Sequence, residues 1–482
     1  MNDLKKIKKT QDLTAGSPLK VMLLFLLPIL IGNVAQQFYN LADTIIIGYT
    51  IGDFAFAGVG ATGWLVSLVL NFSVGLLVGF SVYTAQKFGA KDEFGVRRSF
   101  AQGLMLTVII GVIITVIACV FAKPMLTLMQ TKETLMPYAF NYLIWIYAGT
   151  LITMFYNLFA NMLRAIGDSR APLWFLMIAV VINIGLDLLF ITVFKMGVSG
   201  AAIATLISQA IATILSAIYM FVKYPIFRLK KADFKPDWAT MKAELSIGLP
   251  MSFQNVLIAI GGICVQTALN TLGEVYNVAF VAATKLEGFA ITVLVSIGSM
   301  IAVYVGQNYG ARNRERIKSG IKIASVLAIV LALLFYAIFL LFSEPLVSLV
   351  AGGDSGEVDR AAMLGFASQY LKISGIAYVF LGAIVVFRNA LQGIGQSKWT
   401  IPGGIIELMT RISCALLVGV LGFTGMCLNG LTTWFFTGIY CAVIFFILFK
   451  RVDFKDKVIK EIAKTMKESV GQELPVYDTV NQ

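Results

Sequence analysis

Residues 28–48 read PILIGNVAQQFYNLADTIIIG, the centre of an apolar stretch that runs from 19 to 49. A helix needs about 20 apolar residues to cross a bilayer, and this stretch is long enough. It carries Pro28 in its interior and a carboxylate, Asp43, near its far end. An ionisable group inside hydrocarbon is expensive, so Asp43 is read as a working residue. Proline removes a backbone donor and interrupts the helix ladder, which offers this span a place to bend when Asp43 changes its charge.

Comparable apolar runs recur along the whole chain. The 482 residues are 58% hydrophobic and 13% charged, where soluble domains carry about 25% charged residues. The reading is an all-α integral membrane protein with about twelve transmembrane helices. The spans fall near 19–49, 54–83, 99–122, 134–162, 171–194, 200–223, 243–271, 277–305, 319–342, 363–390, 399–421 and 424–449. The formal charge of +12 is no nucleic-acid footprint, because Lys and Arg gather in alternate loops. Lys5, Lys6, Lys8, Lys9 and Lys20 precede span 1; Lys87, Lys91, Arg97 and Arg98 follow span 2; Arg312, Arg314, Arg316 and Lys318 follow span 8. That bias predicts cytoplasmic termini at both ends. The basic start of the chain leads into a span too long for a signal-peptide core, so it is expected to stay as the first helix.

Several chemistries drop out. Histidine is absent and the five cysteines lie scattered in apolar runs, without metal or disulfide spacing. GVGATG (58–63) resembles a dinucleotide fingerprint but lies in a span with no strand before it. No P-loop is present, so nothing indicates ATP-driven pumping, and no cofactor is expected.

The chain repeats itself. Leu27-Pro28 recurs as Leu249-Pro250, QKFGAK (86–91) as QNYGAR (307–312), NMLRAIGDSR (161–170) as NALQGIGQSK (389–398), and GVSG (197–200) as GFTG (422–425). An even number of spans per repeat gives two six-helix bundles of the same topology, related by a pseudo-two-fold along the membrane normal. The expected units are an N-terminus (1–18), a first lobe (19–223), a basic linker (224–242), a second lobe (243–449) and a tail (450–482). In the tail, apolar residues at helical spacing opposite lysines suggest a helix lying on the membrane.

Depth gathers the polar groups. Counting 1.5 Å per residue, Asp43 on span 1, Tyr142 on span 4, Asn183 and Asp187 on span 5 and Thr205 on span 6 fall in one layer of the first lobe. Two carboxylates with an amide, a hydroxyl and a phenol suit either a proton acceptor or a hard cation such as Na⁺; the bland reading is hydrogen bonding between helices. The second lobe lacks an acid at the position matching Asp43. Its charges are Lys285 and Glu287 on span 8, and Glu407 and Arg411 on span 11. Glu407 and Arg411 stand at i,i+4, so an intrahelical ion pair competes with a substrate role. Glu287 either meets a cationic substrate or pairs within the protein. Gln37, Tyr39 and Asn40 on span 1, with Gln254 and Asn255 on span 7, complete the candidates for a cleft between the lobes.

In these residues the chain resembles the multidrug and toxic compound extrusion (MATE) family over nearly its whole length. The resemblance rests on Pro28, Tyr39-Asn40, Asp43 and Gly48 in span 1, on NIGLDLLFI (183–191) followed by GVSGAAIAT (197–205), and on the paired loops. It implies two bundles around a central cleft and export of amphipathic, often cationic compounds in exchange for H⁺ or Na⁺, from a monomer in a bacterial plasma membrane. In the DinF-like branch the residues matching Asp43, Asn183, Asp187 and Thr205 form the coupling site. The NorM-like branch places acids in spans 7 and 10, where this chain has Gln254 and Asn255 and no acid. The alternative, a lipid-linked precursor flippase of the same superfamily, should line its cleft with several arginines. A receptor or scaffold gives no reason to bury Asp43 and Asp187.

The topology is checked by labelling. In a cysteine-free background, single cysteines at Gly52 and Glu274 should react with an impermeant maleimide added outside whole cells. Cysteines at Gly89 and Ala311 should stay unlabelled.

Overall fold

The structure is a computed structural model that describes residues 12–350 and 359–452; the side chains of residues 40–42, 44, 45 and 53 lie outside that description. The expected tail helix falls beyond residue 452, outside the described residues. Fourteen α-helices follow in order: α1 (Pro18–Ile51), α2 (Asp53–Gly89), α3 (Glu93–Leu128), α4 (Met136–Ala148), α5 (Thr150–Ala165), α6 (Arg170–Leu188) and α7 (Gly197–Lys223), then α8 (Trp238–Asn270), α9 (Glu274–Gly310), α10 (Arg314–Val350), α11 (Arg360–Ile376), α12 (Tyr378–Gly393), α13 (Ile401–Leu421) and α14 (Phe423–Arg451). Ten are long and apolar enough to span alone, and two bent pairs bring the count to twelve.

Spans 4 and 10 each consist of two helices that meet at a bend. α4 and α5 meet at 49°, and α11 and α12 at 47°. Leu206 of α7 crowds against Gly149 at the first break, and the Tyr336 ring packs over Gly375 just before the second. α1, by contrast, runs through Pro28 as one helix.

Helices form because hydrocarbon leaves no other way to satisfy the backbone of a spanning segment. Three of them, α3, α8 and α11, begin at a side-chain cap. Asp92 accepts from the Gly95 N–H at 2.8 Å, and Asp359 accepts from Ala361 and Ala362 at 3.0 and 3.2 Å. Asp237 opens α8 by accepting from Ala239 at 3.2 Å. The Thr240 hydroxyl and the neighbouring Arg98 hold the Asp237 carboxyl below the usual carboxylate range. Each cap satisfies a donor that the helix itself leaves open.

The repeat is written into the backbone. Left-handed residues occur in matched pairs: Gly52 (φ 110°) with Gly273 (112°), Lys91 (58°) with Arg312 (57°), Gly167 (90°) with Gly395 (74°), and Gly197 (60°) with Gly422 (57°). The basic stretch between the halves keeps its lysines and Arg228 exposed and is anchored to the first half by a few buried side chains. Asp233 takes the Arg97 Nε–H at 2.8 Å, and Phe227 is fully buried with its ring 5.2 Å from that of Phe100.

The halves meet where α2 packs on α9 and along two symmetry-related seams, α1 on α9 and α2 on α8. Along the first, Asn33 donates to Ser296 and Gln37 to Thr292, each at 2.9 Å. Along the second the backbones touch. A Cβ at Gly79 would collide with the Gly248 backbone, and one at Gly75 would lie 2.7 Å from the Ser252 nitrogen. On the face where α1 begins and α14 ends, two glutamines reach across reciprocally. Gln86 donates to the Gly393 carbonyl and Gln307 to the Ala165 carbonyl, each at 2.8 Å. Gln307 also accepts from the Leu13 N–H at 3.0 Å, and Arg316 donates to the Gly16 carbonyl at 2.7 Å. The molecule is therefore sealed on that face.

Gly79→Val should force α2 and α8 apart. Overpacking costs about 2 kcal/mol, a roughly 30-fold change in population. A cysteine at Ser252, protected in the parent, should then react correspondingly faster with an impermeant maleimide supplied to the sealed face.

Candidate functional site

α1 turns Tyr39 and Asp43 to one side, four residues apart. α6 does the same with Asn183 and Asp187 in its last two turns, just before the helix widens into a π-turn at Leu189–Val193. π-turns are rare and cluster at functional sites. α7 contributes Thr205. The Tyr39 hydroxyl lies 3.1 Å from Thr205 Oγ1. With its amide nitrogen toward Asp187, Asn183 donates to Asp187 Oδ2 at 3.0 Å and accepts from the Thr205 N–H at 3.3 Å. Asp43 and Asp187 lie within hydrogen-bonding reach of each other. Tyr142 of α4 lies within electrostatic reach of both acids and of Tyr39.

Asn183 and Asp187 are essentially inaccessible. Asp43 Oδ1 and Asp187 Oδ1 are each buried without a donor among the described residues. Two ionised carboxylates this close repel. A shared proton or a bound cation removes that repulsion, and the neighbouring amide, hydroxyl and carboxylate oxygens are the donor set of a hard cation. All five coupling candidates thus come together. Tyr39, assigned from sequence to the cleft, joins them through Thr205. Its i,i+4 spacing from Asp43 was the available signal.

The second half is arranged differently. Glu287 is buried and faces α11 and α12, where the Tyr370 hydroxyl donates to its Oε2 at 2.9 Å. The Ser374 and Tyr378 hydroxyls also lie within its reach. The intrahelical pair Glu407–Arg411 does not form. Glu407 instead takes Arg388 of α12 at 2.8 Å, with both side chains largely buried. Gln254 joins them: with its oxygen toward Arg388, it donates to Thr400 Oγ1 at 3.0 Å. The i,i+4 preference lost because Arg388 approaches from a neighbouring helix and Arg411 turns toward α8. Asn255 donates to the Asn71 carbonyl across the seam at 3.0 Å, and Gln37 is engaged by Thr292. The side chain of Asn40 lies outside the described residues.

Sequence reasoning missed Arg388, a lone charge in the last turns of span 10. It also missed Glu244 of α8, fully buried against the first half, where the Ser99 hydroxyl donates to it at 2.7 Å. Arg411 is therefore not the only arginine placed deep in the protein.

The family model MatE matches residues 28–189 and 250–424, one segment in each half. The chain is 29% identical over 391 residues to the probable multidrug resistance protein YpnP of Bacillus subtilis, covering 80% of this chain and 85% of that one. It is 26% identical over 413 residues to an FAD transporter of Shewanella oneidensis, covering 84% and 88%. A solved MOP superfamily transporter from Pyrococcus furiosus superposes with a TM-score of 0.85 at 25% identity, over 92% of this chain and 98% of that one. A multidrug resistance MATE transporter in an outward-facing conformation gives 0.84 at 25% identity, over 92% and 98%.

Breaking the buried pair strands a charge. Arg388→Met should destabilise by about 3–5 kcal/mol, and Arg388→Met with Glu407→Leu should recover most of it. Arg411→Met, which breaks no ion pair, should change stability by at most about 1 kcal/mol. Thermal melting of the purified protein in detergent gives the order.

Proposed function

The chain belongs to the MatE family of multi-pass membrane transporters, and from that premise we propose that it is a proton-coupled antiporter exporting amphipathic organic compounds. The observation that carries the coupling is the Asp43–Asp187 pair, two carboxyls within hydrogen-bonding reach inside a spanning bundle. A proton arriving from outside occupies the pair and neutralises it, and its loss restores the repulsion. Either change alters how α1 packs on α6 and α7. Since α1 also forms a seam with α9 through Asn33 and Gln37, a shift of α1 reaches the second half. Cytoplasmic termini make the sealed face the inner one, so the described state is closed inward, in keeping with its likeness to an outward-facing relative. Alternating access then consists of breaking that seal.

The first-half cluster supports the DinF-like branch. The multidrug resistance relatives support organic compounds as cargo, and no named relative described above is a flippase. Each chain carries both halves of the cleft, so a monomer in the bacterial plasma membrane suffices. Na⁺ is the second reading, favoured by the hydroxyl oxygens of Thr205 and Tyr39 gathered with the acids.

Proteoliposomes decide between them. A pH gradient alone should drive ethidium export, a Na⁺ gradient alone should not, and Asp43→Asn or Asp187→Asn should reduce export to background. Tyr39→Phe, which removes one hydrogen bond worth about 1 kcal/mol, should slow it roughly fivefold. Export by Na⁺ alone, with a raised Na⁺ requirement in Thr205→Ala, would establish the second reading. Full export by the Asp43→Asn, Asp187→Asn double variant would remove this site from the coupling altogether.

A further inference from the structure

Arg411 lies in the middle of α13 with Glu407 one turn away, yet Glu407 is taken by Arg388 at 2.8 Å. Among the described residues no carboxylate lies within ion-pair distance of Arg411, and its Nε is buried without a hydrogen-bond partner. Glu287 is within electrostatic reach but takes the Tyr370 hydroxyl and faces the interior of its own half. A guanidinium so placed is costly unless something answers its charge.

The surroundings are shaped for that answer. Arg411 lines a cavity of about 320 Å³ with Trp64, Ser67, Asn71, Asn255 and Ala259. Two adjacent glycines of α8 make the room. A Cβ at Gly261 would lie 2.5 Å from Arg411 Cδ, and one at Gly262 would lie 2.6 Å from the Trp64 ring. The arginine stem crosses the helix over one glycine and the indole rests on the other. Trp64, Ser67 and Asn71 come from the first half, Asn255 and Arg411 from the second, so a ligand here is held by both. Asn71 and Asn255 sit one turn from the Gly75–Ser252 contact. The cavity therefore lies directly beyond the seal.

We propose that this cavity binds the oxyanion group of a planar aromatic substrate, with Arg411 pairing the carboxylate or phosphate and Trp64 stacking on the ring. Guanidinium groups recognise such oxyanions with paired N–H donors. Indole offers a flat apolar face, and the side-chain groups of Asn71 and Ser67 supply hydrogen bonds at the rim. The volume matches the lower end of small-molecule sites, about 300 Å³, enough for one ring system and its anionic group. The assignment rests on the transporter reading above and narrows its cargo: anionic or zwitterionic aromatics join the cations.

The test compares flavin mononucleotide with riboflavin, which share one ring system and differ by the phosphate. Binding to the purified protein in detergent is read from quenching of flavin fluorescence. The phosphate form should bind at least about tenfold more tightly, as expected of a charge-assisted hydrogen bond. Arg411→Gln should erase that difference while leaving riboflavin affinity within about twofold, and Arg411→Lys should keep part of it. Trp64→Leu should weaken both flavins. Equal affinities of the two flavins for the parent protein would overturn the proposal without any variant, and so would an equal loss of both in Arg411→Gln. Ethidium export driven by a pH gradient, measured on the same preparation, separates the two readings. Export with no flavin discrimination removes only the oxyanion site. Discrimination without export removes the antiporter reading and leaves the site standing.

Discussion

A charge carried into the hydrocarbon must find a partner, and most of the interior of this protein follows from how each one does. Asp43 has Asp187, an acid facing an acid, which is stable only with a proton or a cation between them. Glu407 has Arg388, and that pair ties α12 to α13 and, through Gln254, to α8. Glu287 has a tyrosine hydroxyl, and Glu244 a serine. The pairings separate structural charges from working ones. A matched ion pair with good geometry holds helices together. A like-charged pair needs a proton or a cation to relieve its repulsion.

The second constraint is steric. Lipid chains are as apolar as the helices they surround, so helices associate through close packing rather than through loss of water. The α2–α8 seam uses that rule directly: Gly79 meets Gly248 backbone to backbone. Such a contact is all or none, since a Cβ on either residue forbids it. The reciprocal hydrogen bonds from Gln86 and Gln307 close the same face with polar groups that can be solvated when it opens. The glycine contacts and glutamine bonds of this seal are neutral, and Arg316, donating to the Gly16 carbonyl, adds a charged link on the same face.

Symmetry of fold and asymmetry of chemistry coexist here. The four pairs of left-handed residues and the two bent helices repeat between halves. The acids do not. Where the first half has Asp43, the second has Cys264, Val265 and Gln266, none of them an acid; where the first has Asn183, the second has Arg411. Turn geometry and helix breaks define the scaffold, which both halves need. The buried charges differ between the halves, with two neighbouring acids in the first and a guanidinium at the seam in the second.

By itself the sequence determined the spans, the repeat and the first-half site. Apolar runs of bilayer length, a Lys and Arg bias and recurring loop motifs are local signals, read along one strand of text. Asp43, Asn183, Asp187, Thr205 and Tyr142 were legible because position within a spanning helix gives depth, and equal depth in one bundle brings groups together. Depth says nothing about which way a side chain turns. That is why Tyr39 went to the cleft on paper and to Thr205 in the fold, and why the bends of spans 4 and 10, where Leu206 and Tyr336 pack beside the breaks, left no mark along the chain. Glu407 and Arg411 looked like a pair because intrahelical spacing was the only distance available. Which partner a buried charge takes depends on rotation about each helix axis and on which neighbour has a glycine in the way, and only the tertiary structure decided those.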